Sequence, residues 1–444
     1  MREMKDSGIE WIGEIPKEWD CKPIRALFDE VNEKNFLGTC TNALKFTYGN
    51  IVRKSNFDAD TDDYVATTIL NYTVVEAGTI MLNGLNLNFD FVSQRIGLVR
   101  EKGIITSAYM AFKPNEKQLI DSEFATYLLK TYDGCKAFHN MGGGVRKILN
   151  FSEFKKYYIP LPNFNEQQHI VDFLDSKCSE IDATAEDIQK EISLLEDYKK
   201  SVITEAVTKG LNPDAEMKDS GIEWIGEIPK DWKFPKITHI LDYTHPYPIG
   251  DGDHGTIKAE NYSEEGIPFI RVQNLGFATD LILNNVVYIT EKQNNGIINS
   301  TLYPNDILFA KTGATIGKVG IMPENIKKAN TTSHVGKITV SEEVLPKFIF
   351  YVLSSFIGYK QFWDIALMKS TRPELSIDEI KTLHVLLPKT KEEQQQIADF
   401  LDSKCSEIDS LIADKKRQLD ILADYKKSLI YEYVTGKKKV PVNE

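Results

Sequence analysis

The chain has 444 residues, 42% of them hydrophobic and 27% charged, with a net charge of −12. That is too long for one ordinary core, and the composition is that of a folded chain. Such acidity argues against a nucleic-acid partner unless the acid is confined to part of the chain. No run approaches the ~18 apolar residues of a membrane span. Met1–Asp6 shows no basic stretch leading into an apolar one, so no leader and no membrane are expected, and the chain reads as cytoplasmic. Five cysteines form no CxxC pair and their number is odd, which fits reduced thiols in a cytoplasm. Seven scattered histidines lack metal-ligand spacing, so no metal is expected.

Taken in order, the chain is written twice. An arm, residues 1–19, contains MKDSGIEWIGEIPK from Met4 to Lys17, and the same fourteen residues return from Met217 to Lys230. Trp19 matches Trp232. Next comes a variable block, 20–145, against 233–371 in the second copy. An R-x-x-L segment follows, Arg146 to Lys155 against Arg372 to Lys381, closing on Leu161-Pro162 and Leu387-Pro388. LDSKCSEID then recurs at Leu174–Asp182 and Leu401–Asp409, and DYKKS at Asp197–Ser201 and Asp424–Ser428. The two variable blocks share only faint patterns. One scaffold with two different specificities explains near-identical arms beside unlike inserts; uneven drift of a plain duplication is the alternative.

The segment 166–209 has no Pro or Gly and carries a heptad seam. Leu174, Ile181, Ile188, Leu195 and Val202 alternate with Cys178, Ala185, Ile192 and Ala206, interrupted by Lys199. The copy uses Leu401, Ile408, Leu422 and Leu429 with Cys405, Ile412 and Leu419, broken by Lys415 and Lys426. This spacing predicts two coiled-coil helices, each roughly 65 Å long at about 1.5 Å per residue, ended by Gly210 and Gly436. Two unrelated amphipathic helices are the plainer alternative. The acid is concentrated here: helix segment 166–209 is net −6 and 392–436 net −4, while the variable blocks are −2 and 0 and segment 146–165 is +3. Acidic helices repel phosphates, so they are expected to hold domains apart and carry protein partners.

No catalytic constellation stands out. Gly313-Ala-Thr-Ile-Gly317-Lys318-Val319 is one residue short of a P-loop and has Val319 in place of the magnesium-holding Ser/Thr, so it reads as a turn between strands. Glu153-Phe-Lys155 and Glu379-Ile-Lys381 resemble half of a nuclease metal site, but each follows a helix-start signal, Asn150 or Ser376. The variable blocks hold short β-branched and aromatic runs broken by Gly, Asn and Asp, which predicts mixed α/β domains with many loops. Candidate DNA contacts are the polar residues at those turns. In the first block they are Arg53, Lys54, Asn83, Asn86, Gln94, Arg95, Ser107 and Tyr109. In the second they are Arg271, Gln273, Asn274, Lys311, Thr312, Thr315, Lys318, Ser333 and His334. Arg, Asn, Gln and Lys can match base edges, and Lys, Ser and Thr at loop tips suit phosphates. A solvated loop has the same polarity. Arg146, Lys147, Lys369 and Arg372 are candidates for backbone contacts, because they occupy equivalent places in the two copies.

The layout resembles the specificity subunits of type I restriction-modification systems across essentially the whole chain. The arm Gly8–Pro16, repeated at Gly221–Pro229, carries the resemblance, with the L-P…E-Q-Q-x-I-x-D-F-L-D pattern at Leu161/Glu166–Asp175 and Leu387/Glu393–Asp402. It implies an α/β (α+β) protein with two mixed α/β target recognition domains, separated by two long helices forming an antiparallel coiled coil, in an internal pseudo-twofold repeat. The divisions are then an arm, 1–19; recognition domain 1, 20–162; spacer helix 1, 163–210; linker and second arm, 211–232; recognition domain 2, 233–388; spacer helix 2, 389–436; and a tail, 437–444. The resemblance also implies that each recognition domain reads half of a bipartite site in double-stranded DNA. The partners are two modification (adenine methyltransferase) subunits and, in the full complex, restriction subunits. S-adenosylmethionine, ATP and magnesium belong to those partners, and this chain is non-catalytic. The rivals are a stand-alone nuclease with degenerate metal ligands and a coiled-coil adaptor without DNA specificity. Each arm is apolar and turn-rich, through Ile9, Trp11, Ile12, Ile15 and Trp19, and serves either its own domain's core or the end of the other copy's helix.

Overall fold

The computed structural model describes residues 2–54, 69–89, 94–116, 118–143, 147–368 and 373–441. Its contacts divide the chain into two units, Met1–Ile188 with Arg417–Glu444, and Gln189–Lys416. Each unit therefore holds the first part of one long helix and the last part of the other.

In the first unit the arm is a small hairpin. β1 (Met4–Asp6) pairs antiparallel with β2 (Glu14–Pro16), and β3 (Asp20–Pro23) pairs with β12 (Tyr158–Leu161) at the other end of the block. Between them lies a four-stranded antiparallel sheet of β4 (Phe28–Glu30), β8 (Ile80–Leu82), β9 (Ile96–Leu98) and β11 (Met110–Pro114), in the order β4-β11-β8-β9. Every residue of β8 and β9 is buried, so these strands are apolar runs with no solvent face. The block adds the hairpin β5 (Leu44–Thr47)/β6 (Asn50–Arg53) and the pair β7 (Thr73–Val75)/β10 (Gly103–Ile105). Helix α1 (Ser122–Gly134) starts on Asp121, whose carboxylate accepts the amides of Glu123 and Phe124. The short α2 (Phe151–Phe154) is capped by Asn150, and α3 (Phe164–Lys209) then begins.

The second unit repeats the plan. Its arm pairs β13 (Met217–Asp219) with β14 (Glu227–Pro229). Its main sheet is β15 (Ile249–Asp251), β18 (Ile307–Ala310), β19 (Val319–Ile321) and β21 (Val335–Ile338), ordered β15-β21-β18-β19 and antiparallel throughout. In both sheets the first strand, last, second and third lie side by side. The shared sheet order lies beneath inserts whose sequences match only faintly. What surrounds the sheets differs: the second block adds β16 (Ile267–Ile270), β17 (Val287–Ile289) and β20 (Asn330–Thr331), with β16 and β20 parallel. Helices α4 (Glu291–Gly296), α5 (Pro346–Ser354), α6 (Phe356–Leu367) and α7 (Ile377–Thr382) precede the long α8 (Lys391–Val434).

The heptad seam is largely buried, with Ala185, Leu195, Leu419 and Leu422 half-buried. Leu174, Cys178 and Ile181 lie in the first unit with Leu429 and Tyr433, and Phe173 and Tyr433 pack with ring centroids 4.5 Å apart. Ile192 lies in the second with Leu401, Cys405, Ile408 and Ile412. Within each unit the helix segments run antiparallel: Asp182 meets Lys426 where Phe173 meets Tyr433, and Glu191 meets Lys415 where Asp409 meets Lys199. The lysines that interrupt the seam thus find carboxylates on the facing helix. Lys199–Asp409 at 2.7 Å and Lys426–Asp182 at 2.6 Å are the same pair in the two copies. One expectation shifts. Val202 is only half-buried, while Ile203, Ala206 and Val207 are buried, because the last turns of α3 leave the seam for the second unit's core.

Candidate nucleic-acid interface

Three bonds fix the scaffold side of each unit. The Trp19 indole donates to Glu166 Oε2 at 3.1 Å, and the Trp232 indole to Glu393 Oε1 at 2.9 Å. Buried Gln167 accepts the Asp121 amide at 2.8 Å, and buried Gln394 accepts the Leu345 amide at 2.7 Å. The Tyr127 hydroxyl donates to Asp175 at 2.6 Å and that of Tyr351 to Asp402 at 2.5 Å. Burial, reinforced by these carboxylates, pushes both phenols well above their ordinary pKa, so they stay protonated donors. Glu, Gln and Asp of the E-Q-Q…D pattern are thus the pins joining helix, arm and domain. The arm also meets the end of the other copy's helix. Gly210 and Gly436 end the long helices at φ +71° and +73°; the Trp232 ring lies 3.3 Å from a β-carbon placed on Gly210, and Pro16 and Trp19 close on Gly436. Of the two roles open to the arm, it fills both.

These pins assign an outer face. The end of β11 leads to Asp121, and the end of β21 leads to Leu345, so that end of each sheet lies against a long helix. Strands pair antiparallel, so the opposite end gathers the residues after β4 and β8 and before β9 and β11. In the second unit it gathers those after β15 and β18 and before β19 and β21.

Most of the sequence-derived candidates fall on this outer end. In the first unit, Asn86, Gln94, Ser107 and Lys147 are exposed there, and Asn83 and Tyr109 half-buried. The loop after β8 is zipped to the R-x-x-L segment by Leu87 N–H to Lys147 O at 3.1 Å and Leu149 N–H to Gly84 O at 2.9 Å. Gly84 is required because Leu149 O occupies the space of a β-carbon. The second unit makes the matching bonds, Gly313 N–H to Pro373 O and Leu375 N–H to Lys311 O, both 2.9 Å. His334 is exposed, with Thr315, Lys318 and Ser333 half-buried beside it. The P-loop-like stretch is the turn between β18 and β19.

Four candidates are corrected by burial. Arg95 is 0% exposed; its guanidinium donates to the carbonyls of Asn83 and Leu85, both at 2.9 Å, bracing the loop instead of facing solvent. Asn274 is buried, accepting the Arg271 amide at 2.8 Å and donating to Ile282 O at 2.7 Å. Lys311 is buried in an ion pair with Asp251, and Thr312 is buried against His334 Nδ1 at 3.1 Å. Arg53 lies elsewhere, paired with Glu101 beyond the far end of β9, with Lys54 exposed next to it. Arg271 donates to Asn285 O at 3.0 Å and covers the Tyr262 ring; Gln273 is exposed. Arg146, Lys369 and Arg372 lie outside the described residues.

The family model for the type I restriction modification DNA specificity domain matches residues 12–194 and again 229–420. The chain belongs to that family. Among relatives of the specificity-subunit family, it is 26% identical over 431 residues to the type I restriction enzyme MjaVIII specificity subunit of Methanocaldococcus jannaschii, covering 96% of this chain and 94% of that one. It is also 26% identical over 271 residues to the EcoBI specificity subunit of Escherichia coli, covering 60% and 55%. A solved chain, described under the structural basis of complex assembly and conformational transition of the type I R-M system, shares the fold. Its TM-score is 0.68 at 13% identity, covering 96% of this chain and 99% of that one. Among the described residues, no helix is long and apolar enough to cross a membrane.

Proposed function

We propose that this chain reads a bipartite site in double-stranded DNA, one half-site per recognition domain (20–162 and 233–388), and scaffolds two modification subunits and the restriction subunits. In this reading the chain is non-catalytic, and S-adenosylmethionine, ATP and magnesium are held by the partners. The observation that carries it is the contrast within each unit: a scaffold side whose Trp–Glu, Gln–amide and Tyr–Asp bonds repeat, and an outer face whose sheet order repeats while its loop residues do not. Loops on a rigid support are where recognition changes most freely.

The test is an exchange of residues 20–145 for the equivalent block of another specificity subunit, with methylated adenines mapped in DNA from cells carrying the whole system. One half-site changes and the other stays. A change in both half-sites overturns the two-reader model.

A further inference from the structure

The two inserts, unlike in sequence, lay a turn along the same edge of the same sheet. In the first unit the β5/β6 hairpin lies along β9. Arg53 at its base binds Glu101 beyond the end of β9, with Arg53 Nε 2.7 Å from Glu101 Oε1. Phe46 and Ile51 pack over Gly97 in mid-strand, and at the tip Gly49 leaves room for the Gln94 side chain directly above it. These three anchors fix the hairpin's direction, with its tip at the outer end. The tip residue Tyr48, at φ +48°, is 84% exposed.

In the second unit the segment 274–282 closes on itself through Ile282 N–H to Asn274 O at 2.9 Å and the Asn274 side chain to Ile282 O. It lies along β19, the strand equivalent to β9. Leu275 and Leu281 pack on Gly320, and Val319 N–H donates to Gly276 O at 3.1 Å. At the outer end stands Phe277, 52% exposed, its ring 3.7 Å from a β-carbon placed on Gly317 and 5.9 Å from Lys318 Nζ. Tyr48, next to the Gly49 that lies against Gln94, and Phe277, over Gly317-Lys318, therefore hold one position in the fold, each an exposed aromatic on a turn packed against a residue able to bond a base edge.

We propose that Tyr48 and Phe277 are specificity-determining residues, each presenting its ring to the base pairs of its own half-site. Most of the Tyr48 ring and about half of the Phe277 ring are left in water, and that exposed surface does nothing for its own core. Against DNA it gains apolar contact with bases such as the thymine methyl group, while Gln94 or Lys318 bonds the adjacent edge. This inference rests on the proposed function, and the experiment separates the two.

The full chain is assembled with the modification subunits of its own system, and binding is measured on its methylation-mapped site and on every single-pair variant of that site. Sequence-selective binding by the unsubstituted complex is the control on the proposed function; without it, that reading fails before the variants are compared. Tyr48→Ala loses about tenfold in discrimination at one or two pairs of one half-site. Phe277→Ala does the same in the other half-site. Phe277→Leu, which keeps bulk against Gly317, also shifts the preference, so a packing defect in the alanine variant does not decide the matter. Binding to unrelated sequence and its salt dependence stay unchanged, because neither ring carries charge. Discrimination intact at every pair, or an equal loss on all sequences, overturns the inference.

Discussion

The scaffold side and the outer face of each unit differ in where their partners lie along the chain. Scaffold residues bond from one segment of the repeat to another: Trp19 to Glu166, Tyr127 to Asp175, Lys199 to Asp409, Tyr431 to the carbonyl of Ile12. Outer-face residues bond mostly within their own insert, as Arg95 does to Asn83 and Leu85, or Lys311 to Asp251. A change on the scaffold side strands a partner in another segment, whereas an insert carries its partners with it. This difference accounts for two copies that repeat the Trp–Glu, Gln–amide and Tyr–Asp bonds on one side and, on the other, share the sheet order and the bonds to the R-x-x-L segment but not the loop residues.

The sharpest way to break the comparison is to remove a scaffold pin. Trp19 and Trp232 are 1% and 2% exposed, and truncation to alanine opens a cavity as well as removing the bond to glutamate. Each of Trp19→Ala and Trp232→Ala is expected to cost about 3–5 kcal/mol. Urea unfolding of the full chain measures it. If the two copies are one scaffold, the two losses agree; a large loss at only one of them breaks the equivalence.

A smaller effect separates two pairs that look alike in sequence. The Lys199 side chain is 7% exposed and that of Lys426 is 30%. Asp409→Asn leaves a buried ammonium without its carboxylate, expected at about 1–3 kcal/mol, toward the lower end because Asp409 is itself 47% exposed. Asp182→Asn is expected to cost less than about 1 kcal/mol, since both partners of that pair reach solvent. Equal losses would show that burial of the lysine is not what sets the strength of the pair.

These contrasts also mark how far the sequence carries. The helices and their seam are legible because a heptad is a local period, and a change of period shows where the last turns leave the seam, at Ile203 and Val207 in α3 and at Val434 in α8. The sheet order is not legible, because its strands are three to five residues long and pair with distant segments. Arg95, Asn274 and Lys311 look like DNA contacts in the sequence because the side chains that bond base edges are those that brace loops, and burial decides between the two roles. Tyr48 is not among the sequence-derived candidates, although Thr47-Tyr48-Gly49-Asn50 is a hairpin turn with an aromatic at its tip.

The smallest expected effect, no change at all in Glu379→Gln, concerns the motif shared by both copies that most resembles chemistry. The Ser376 hydroxyl accepts the Glu379 amide at 3.3 Å while the Glu379 carboxylate accepts the Ser376 amide at 2.8 Å, closing a capping box on α7. Asn150 caps α2 by accepting the Glu153 amide at 3.1 Å. Ser376→Ala and Asn150→Ala are each expected to cost about 1 kcal/mol. In Glu379→Gln the amide carbonyl accepts the same bond, so the cap survives, whereas a metal ligand would lose its charge. In the assembled complex, Glu379→Gln is therefore expected to bind and methylate DNA as the unsubstituted chain does. Magnesium-dependent cleavage by the isolated chain, abolished by Glu379→Gln with the fold intact, would move this glutamate from the scaffold to the chemistry.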